Sequence, residues 1–354
     1  MRKPLTRLLI ALLGFGFGGG GAAAEEAVPR VVTSIKPVHG LAAAVMEGVA
    51  TPRLLVDGGQ SPHSYDLRPS EALALEKADL VIWVGPALES FLTGPVDSLP
   101  RAGAVLTLQD VPAVYLRETR VGGVWGAHSH GDHDHGHDHD HDHEDHGHED
   151  HGHEDQGHED QGHEDHGHDH EGHGQADAAP APDRIDPHIW LDPANARVMV
   201  TAIAARLQAI DPARADTYAA NAEALRARIA ALDETLAARL DPVRGVPYVV
   251  FHDAYQYFEA HYGLNAVGSV TLSPERTPSA RRLHEVRQEL AARDARCVFR
   301  EPQFAPDLVD TVAEGRDVRV GVLDPLGADL KPGPEAYDKL LRGLADNLTA
   351  CLAR

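Results

Sequence analysis

Residues 211–240 read DPARADTYAANAEALRARIAALDETLAARL. Apolar side chains recur every three or four positions in this stretch, which is the period of one helix face. Asp211 is typical of an N-cap, Pro212 suits the first helical position, and the next Pro is Pro242. A helix over 212–240 would be about 43 Å long at roughly 1.5 Å per residue, which is longer than one small lobe needs. We therefore predict a rigid linker helix, residues 211–241, between two lobes. A coiled-coil dimerisation helix is the alternative, and it is disfavoured because the stretch is Ala-rich and only about four heptads long.

Short β-branched runs alternate with longer helical runs on both sides of this helix, a pattern typical of parallel sheets. In the N-terminal lobe, residues 25–210, we predict strands at Val31–Ile35, Arg53–Val56, Leu80–Val84 and Ala104–Leu106, and helices at Gly40–Glu47, Pro69–Lys77, Leu88–Thr93 and Pro193–Ile210. In the C-terminal lobe, residues 242–354, we predict strands at Tyr248–Phe251, Ala266–Val270, Cys297–Arg300 and Val318–Leu323, and helices at Asp253–His261, Pro278–Ala292, Pro306–Glu314 and Pro334–Leu352. The predicted fold class is α/β, with two lobes that each contain a four-stranded parallel sheet flanked by helices.

A His-rich segment interrupts the first lobe at residues 128–175. Residues 128–173 hold eighteen of the chain's 24 His together with seventeen Asp and Glu, and they contain no Lys or Arg. The segment has almost no apolar side chain to bury, so we expect it to be disordered. Its imidazoles and carboxylates suit zinc, copper or nickel, but an unfolded array has no geometry with which to select among them. An accidental polar linker or a cloned tag is the alternative, and repetition of Gly-His-Glu-Asp within the chain argues against it.

Residues 1–24 have the features of a secretory signal peptide. They begin with Arg2 and Lys3, continue with a short apolar run and end in small residues at Ala22–Ala24. The apolar run is too short and too rich in Gly for a membrane span. We expect cleavage near Ala24 and a periplasmic protein. Because no Cys lies at the cleavage site, we expect no lipid anchor.

The charge of the chain is concentrated in the His-rich segment. Removing the seventeen acidic residues of 128–173 changes the formal charge from −23 to −6. The remaining body has no basic stripe, which argues against nucleic acid and against an anionic membrane surface as partners. We expect a monomer.

Cys297 and Cys351 are the two cysteines of the chain. Two cysteines in an exported protein usually pair, so we predict a disulfide that joins the C-terminal helix to the sheet. A cysteine metal site is the weaker alternative, because neither residue has a second Cys or a His at ligand spacing.

Three His outside the tract lie in loops or at strand exits, where open α/β sheets bind ligands. His63 follows the second predicted strand, His252 follows the strand 248–251, and His188 precedes a helix beside Asp186. An acidic neighbour such as Asp186 can orient an imidazole that binds a metal. Asp324 follows the last strand and is the best carboxylate candidate for the same cleft.

The other candidates carry weaker signals. Glu301 is a second carboxylate candidate at a strand end, and a supporting or ion-pairing role is its alternative. His39 lies near the exit of the first strand, but its position alone gives it a small chance of lining the cleft. His261 and His284 lie in amphipathic helices, where we expect packed or solvent-facing side chains.

The chain resembles the cluster A-I substrate-binding proteins of metal ABC importers, also called solute-binding protein family 9, and within them the zinc-binding members. The likeness covers essentially the whole mature chain and is carried by the motifs SIKPV (34–38), HSYDLRPS (63–70), ADLVIWVG (78–85), DPHIWL (186–191), FHDAY (251–255), EPQF (301–304) and LDPLG (323–327). The resemblance implies a periplasmic receptor with a helical backbone that captures Zn²⁺ and delivers it to an inner-membrane ABC permease with its ATPase subunit. Such a receptor is not an enzyme. The family's paired C-terminal cysteines match Cys297 and Cys351.

The resemblance also implies the metal ligands. The family's metal positions correspond to His63, His188 and His252, and Asp324 stands where a carboxylate binds manganese in related proteins. Manganese-type members carry Glu in place of His252, so a third imidazole favours zinc. Some zinc members have an acidic residue before the first His, but this chain has Pro62 there. Either Asp324 or a water would then complete the tetrahedron.

Three other functions compete with the zinc receptor. A periplasmic zinc store would act through the His-rich segment, and a manganese-type receptor would use the same cleft. A zinc hydrolase lacks support, because the sequence has no His-Glu-x-x-His pair and no identifiable general base beside the metal positions.

Overall fold

The computed structural model describes residues 27–99, 104–121, 125, 184–272 and 274–353. The expected signal peptide, residues 1–24, and the His-rich segment, residues 128–175, lie outside the described residues. Within the described part of the chain, the search for a helix with the length and apolarity of a membrane span finds none.

The first lobe contains a parallel four-stranded sheet in the order β2-β1-β3-β4. Its central strand β1 is buried along its whole length, because helices cover both faces of the sheet. The strands are β1 Val31–Ile35, β2 Arg53–Val56, β3 Leu80–Trp83 and β4 Val105–Thr107, and the helices are α1 Lys36–Val45, α2 Pro69–Glu76, α3 Thr93–Asp97 and α4 Pro193–Ile210.

The second lobe repeats this arrangement with a parallel sheet in the order β6-β5-β7-β8. Its strands are β5 Pro247–Val250, β6 Asn265–Ser269, β7 Cys297–Arg300 and β8 Arg319–Val322, and its helices are α6 Gln256–Tyr262, α7 Ala280–Ala292, α8 Asp307–Ala313 and α9 Ala336–Leu352. The predicted α/β fold with two four-stranded parallel sheets is confirmed.

The long helix between the lobes, α5, spans Ala215–Leu240. Its buried side chains are those of the predicted apolar stripe, namely Tyr218, Ala222, Leu225, Ile229, Leu232, Leu236 and Leu240. This stripe packs against α1 and α4 of the first lobe and against α9 of the second lobe. The helix therefore contributes to a hydrophobic core that both lobes share.

The start of α5 differs from the prediction. A 3-10 turn, Pro212–Arg214, precedes the helix, and the Asp211 side chain caps no backbone N–H. Its carboxylate instead accepts hydrogen bonds from the Tyr218 hydroxyl at 2.7 Å and from the Arg214 guanidinium at 3.0 Å. Tyr218 lies on the buried stripe, and a buried hydroxyl requires an acceptor. The Asp211 carboxylate therefore accepts from this hydroxyl and does not cap the helix.

Two helices of the first lobe also differ from the prediction. Helix α1 begins at Lys36, earlier than the predicted Gly40, because Pro37 in its first turn needs no intrahelical N–H bond. The predicted helix Leu88–Thr93 is a 3-10 turn, Ser90–Leu92, followed by α3, in which a Pro again lies in the first turn.

Buried polar contacts join the lobes beside the helix. The Lys36 ammonium, which is buried, donates hydrogen bonds to the carbonyl oxygens of Gly327, Ala328 and Leu330 at 2.8 to 2.9 Å. The Trp190 indole donates to the Pro325 carbonyl at 2.9 Å. Because these donors and acceptors come from different lobes, separating the lobes would leave buried polar groups unsatisfied.

The segments on either side of the His-rich segment run side by side. Glu118 and Ile185 form an antiparallel bridge, and the Thr119 amide donates to the Arg184 carbonyl at 2.8 Å. The Asp186 amide donates to the Arg117 carbonyl at 2.9 Å. Residues 117–119 and 184–186 are therefore held next to each other by backbone hydrogen bonds.

A disulfide joins Cys297 in β7 to Cys351 in α9. The predicted pairing is therefore confirmed, and it attaches the C-terminal helix to the second sheet. Cys297 and Cys351 are both buried, and they are separated by 54 positions in the sequence.

Candidate metal centre

Three loops from two lobes carry the candidate histidines. His63 lies in a 3-10 turn, Pro62–Ser64, after β2, and the Ser61 hydroxyl accepts a hydrogen bond from the His63 amide at 3.3 Å. His188 directly precedes a second 3-10 turn, Ile189–Leu191, and His252 follows β5. The strands thus end where the cleft between the lobes begins, as the position of ligands in open α/β sheets predicts.

The three imidazoles converge on one point. One ligand nitrogen from each of His63, His188 and His252 lies within 4.8 Å of the others. The His188 and His252 Nε2 atoms are 3.4 Å apart, and the ring centroids of the three pairs are 5.3 to 5.9 Å apart. His188 and His252 are buried and His63 is partly buried. Convergent imidazoles at these separations suit a metal ion placed between them.

Carboxylates orient two of the three rings. The His188 Nδ1 lies 2.8 Å from Asp186 Oδ1, and the His252 Nδ1 lies 2.8 Å from Glu301 Oε1. When the carboxylate is ionised and the ring is neutral, the carboxylate only accepts, so Nδ1 carries the proton and Nε2 keeps its lone pair for a metal. This contact gives Glu301 the supporting role beside His252 that the sequence predicted as the alternative to a metal ligand.

The electrostatics of the cluster follow from its burial. Burial, together with the nearby Asp253 carboxylate, raises the pKa of Asp186 to about 8. Burial acts to lower the pKa of His252, but the Glu301 carboxylate, together with Asp253 and Glu275, outweighs this effect, and the pKa is raised. A bound divalent cation would lower the pKa of these carboxylates, because its charge stabilises their ionised forms.

Asp324 is not brought together with the three imidazoles. Among the described residues, the group of donors within 4.8 Å contains His63, His188 and His252. Asp324 Oδ1 accepts hydrogen bonds from the amides of Leu326 and Gly327 at 3.0 and 2.9 Å and from the Gln303 side chain at 2.9 Å. The Asp324 carboxylate thus holds its own loop in shape.

The other histidines that the structure describes lie outside the cluster. His39 is buried in α1 with Nε2 3.1 Å from the Pro52 carbonyl, and burial lowers its pKa. His284 lies on α7 and contacts the Gln288 side chain at 3.0 Å. His261 is partly exposed, and its ring lies between the carboxylates of Asp192 and Asp233.

A cavity of about 270 Å³ extends from the three imidazoles towards the solvent. Besides the three His, its lining includes Asp186, Glu275 and Arg282. This volume is many times the roughly 30 Å³ that one water occupies in the liquid, so hydrated ions can enter.

The model of the family described as zinc-uptake complex component A, periplasmic, matches residues 31–351. The chain belongs to this family.

Curated relatives named "High-affinity zinc uptake system protein ZnuA" support this membership of the zinc-uptake family. The protein from Brucella suis biovar 1 is 46% identical over 339 residues, which cover 96% of each chain. The protein from Paracoccus denitrificans is 44% identical over 353 residues, which cover 99% of each chain.

Solved structures show the same fold at low sequence identity. One described as the crystal structure of ZnuA has a TM-score of 0.67 and 20% identity, and the match covers 92% of this chain and 100% of the other. The periplasmic zinc binding protein TroA from Treponema pallidum has a TM-score of 0.68 and 19% identity over 93% of this chain and 100% of its own. These likenesses confirm the α/β fold with two four-stranded parallel sheets.

Arg120, which the sequence reasoning missed, lies at the edge of the centre. Its guanidinium pairs with both carboxylate oxygens of Asp253 and, at 2.8 Å, with Glu259. It also stacks on the Trp125 ring, 3.6 Å from the ring centroid. No local pattern could reveal this role, because the acidic partners follow more than a hundred residues later in the chain.

The ion pairs of His261 predict a pH-dependent contribution to stability. Its Nδ1 lies 3.2 Å from Asp192 and its Nε2 lies 2.8 Å from Asp233. The hydrogen bond to Asp192 raises the pKa of His261 to about 9, against partial burial that lowers it and with help from Asp233. Because the folded pKa lies above the ordinary 6.5, the stabilisation is fully present below pH 6.5 and is lost as the pH rises to about 9.

Urea unfolding of the wild type and of His261→Ala at several pH values would check this. We expect the free-energy difference between the two proteins to be largest at pH 6 and to shrink towards pH 9.5. A difference that is constant over this range would contradict the assignment of the charge to His261.

Proposed function

We propose that the protein is the periplasmic zinc-binding component of an ABC importer, and not an enzyme. It captures Zn²⁺ with His63, His188 and His252 in the cleft and delivers the ion to an inner-membrane permease driven by its ATPase subunit. The convergence of three imidazoles, two of them held by buried carboxylates, carries this proposal. The relatives named as zinc-uptake proteins support it.

We infer that residues 1–24 direct export and are removed, and that the mature protein is a monomer without a lipid anchor. Residues 25–210 and 242–354 would form the two lobes and residues 211–241 the linker. The family description as periplasmic supports the compartment, and the buried disulfide suits an oxidising one.

We propose that a water completes the zinc site. Both oxygens of Asp324 accept hydrogen bonds from backbone amides of its own loop. Asp324 would have to give up such bonds to reach the metal, and Pro62 has no side-chain ligand to offer. Three protein ligands and one exchangeable water suit an ion that must be released.

Zinc is favoured over manganese by the donor set. Three neutral imidazoles suit a borderline ion, whereas Mn²⁺ prefers carboxylate, carbonyl and water oxygens. The manganese-type receptor, the alternative for this cleft, would need Asp324 and other oxygens as ligands. The zinc store, the other alternative, would depend on the His-rich segment and not on the cleft.

Metal titrations of the wild type and of a variant lacking residues 128–173 would test the function. We expect both proteins to bind one Zn²⁺ tightly under chelator competition, because the cleft ligands lie outside the deleted segment. The wild type should bind further ions weakly, and this binding should fall as the tract's imidazoles protonate around pH 6 to 7. Mn²⁺ should compete poorly for the tight site in both proteins.

Two outcomes would contradict the proposal. Loss of the tight site on deleting 128–173 would favour the zinc store, and tighter binding of Mn²⁺ than of Zn²⁺ would favour the manganese-type receptor.

A further inference from the structure

The third imidazole of the cluster faces a carboxylate from the opposite lobe. His63 Nδ1 lies 3.6 Å from Glu275 Oε1. His63 belongs to a loop after β2 of the first lobe, whereas Glu275 belongs to the loop between β6 and α7 of the second lobe. The other two pairs each lie within one lobe. Asp186 and His188 belong to the first lobe, and His252 and Glu301 belong to the second.

The Glu275 carboxylate is placed to act on His63 and not to bind the ion itself. Among the described residues, the group of ligand atoms within 4.8 Å contains the three His and does not include Glu275. The side chain of Glu275 is 33% exposed and that of His63 is 11% exposed, so this pair lies at the solvent side of the cluster. Glu275 also lines the cavity that the three imidazoles border.

A short movement would complete a hydrogen bond between the two groups. The 3.6 Å separation exceeds hydrogen-bond length, and an approach of about 0.7 Å would bring Nδ1–H and the carboxylate to the usual 2.9 Å. A metal bound at Nε2 makes the imidazole more positive, which strengthens its attraction to the carboxylate. The carboxylate in turn makes the imidazole a better donor to the metal.

We propose that Glu275 is the positioning residue of His63, which holds this ligand on the bound zinc from across the cleft and thereby sets the rate of zinc release. The inference rests on the proposed zinc function. Because the pair spans the two lobes, a shift of the loop that carries Glu275 frees His63 while His188 and His252 keep their own carboxylates. His63 is then the first protein ligand to leave the ion.

Zinc affinity and dissociation rates of Glu275→Ala and Glu275→Gln would test the proposal. We expect Glu275→Ala to weaken zinc binding about 10- to 100-fold, mostly through faster dissociation into excess chelator. Glu275→Gln should recover part of the loss, because its side-chain oxygen still accepts a hydrogen bond but carries no charge. Glu289→Ala is the matched control, since Glu289 pairs with Arg293 on the surface of α7, and it should leave binding unchanged.

The same substitution in a His63→Ala background separates positioning from direct ligation. If Glu275 acts through His63, then Glu275→Ala has no further effect once the imidazole is gone. An equal loss in both backgrounds would show that Glu275 binds the ion directly and would overturn the proposal. Unchanged affinity of Glu275→Ala in a wild type that binds zinc tightly would also overturn it, while leaving the zinc function intact. Absence of tight zinc binding by the wild type would overturn the proposed function itself.

Discussion

Replacing any one of His63, His188 and His252 by Ala is expected to reduce zinc affinity at least about 100-fold, more than the loss that a supporting residue causes. Each substitution removes one of the three proposed protein ligands, and a water is a weaker replacement for an imidazole. The substitution of His188 also leaves the buried Asp186 carboxylate without its imidazole, and the substitution of His252 does the same to Glu301.

Calorimetry under chelator competition measures this loss. His284→Ala is the control, because His284 lies on α7 and contacts Gln288 outside the cluster. Unchanged tight binding in one of the three variants would remove that residue from the site, and unchanged binding in all three would place the zinc elsewhere.

Replacing Arg120 by Met is expected to destabilise the fold by about 3 to 5 kcal/mol. Its guanidinium pairs with Asp253 and Glu259, whose side chains are each 4% exposed. Removing the cation leaves two buried carboxylates without its charge, and burial already raises the pKa of Glu259 to about 7 in the intact protein. Met retains much of the apolar volume, so the loss reports the charge and its hydrogen bonds.

Urea denaturation at pH 7.5 measures this destabilisation. Arg281→Met is the control, because Arg281 forms an exposed pair with Glu285 on one helix face, and such pairs contribute only about 0.3 to 0.5 kcal/mol. A loss below about 1 kcal/mol for Arg120→Met would contradict the role of Arg120 as the cation that neutralises both carboxylates.

Periodicity predicted the fold because the interior is built from repeated local units. The buried stripe of α5 and the β-branched strands are local patterns, and each buries its apolar face against a neighbour. Helix ends were predicted less well. Asp211 has the residue type and position of an N-cap, yet its carboxylate binds Tyr218, and that competition is decided by burial.

The residues of the candidate site show the same difference between local and long-range signals. His63, His188 and His252 could be found because they follow strands or lie beside an acidic residue, and because motifs carry them. Glu275 and Arg120 could not be found, since their partners are distant in sequence and come together only in the folded chain. Asp324 has the right position after a strand, but its own loop supplies the donors that occupy its oxygens.

The bridge between Glu118 and Ile185 has a consequence for how the chain can vary. The two flanks are held together by their own hydrogen bonds, so whatever lies between them only has to close a loop. The entropy of closing a flexible loop rises slowly, by about 0.6 kcal/mol for each doubling of its length. A gain or loss of residues between the flanks would therefore change the free energy of folding little, and it would leave the sequence of the cleft unchanged.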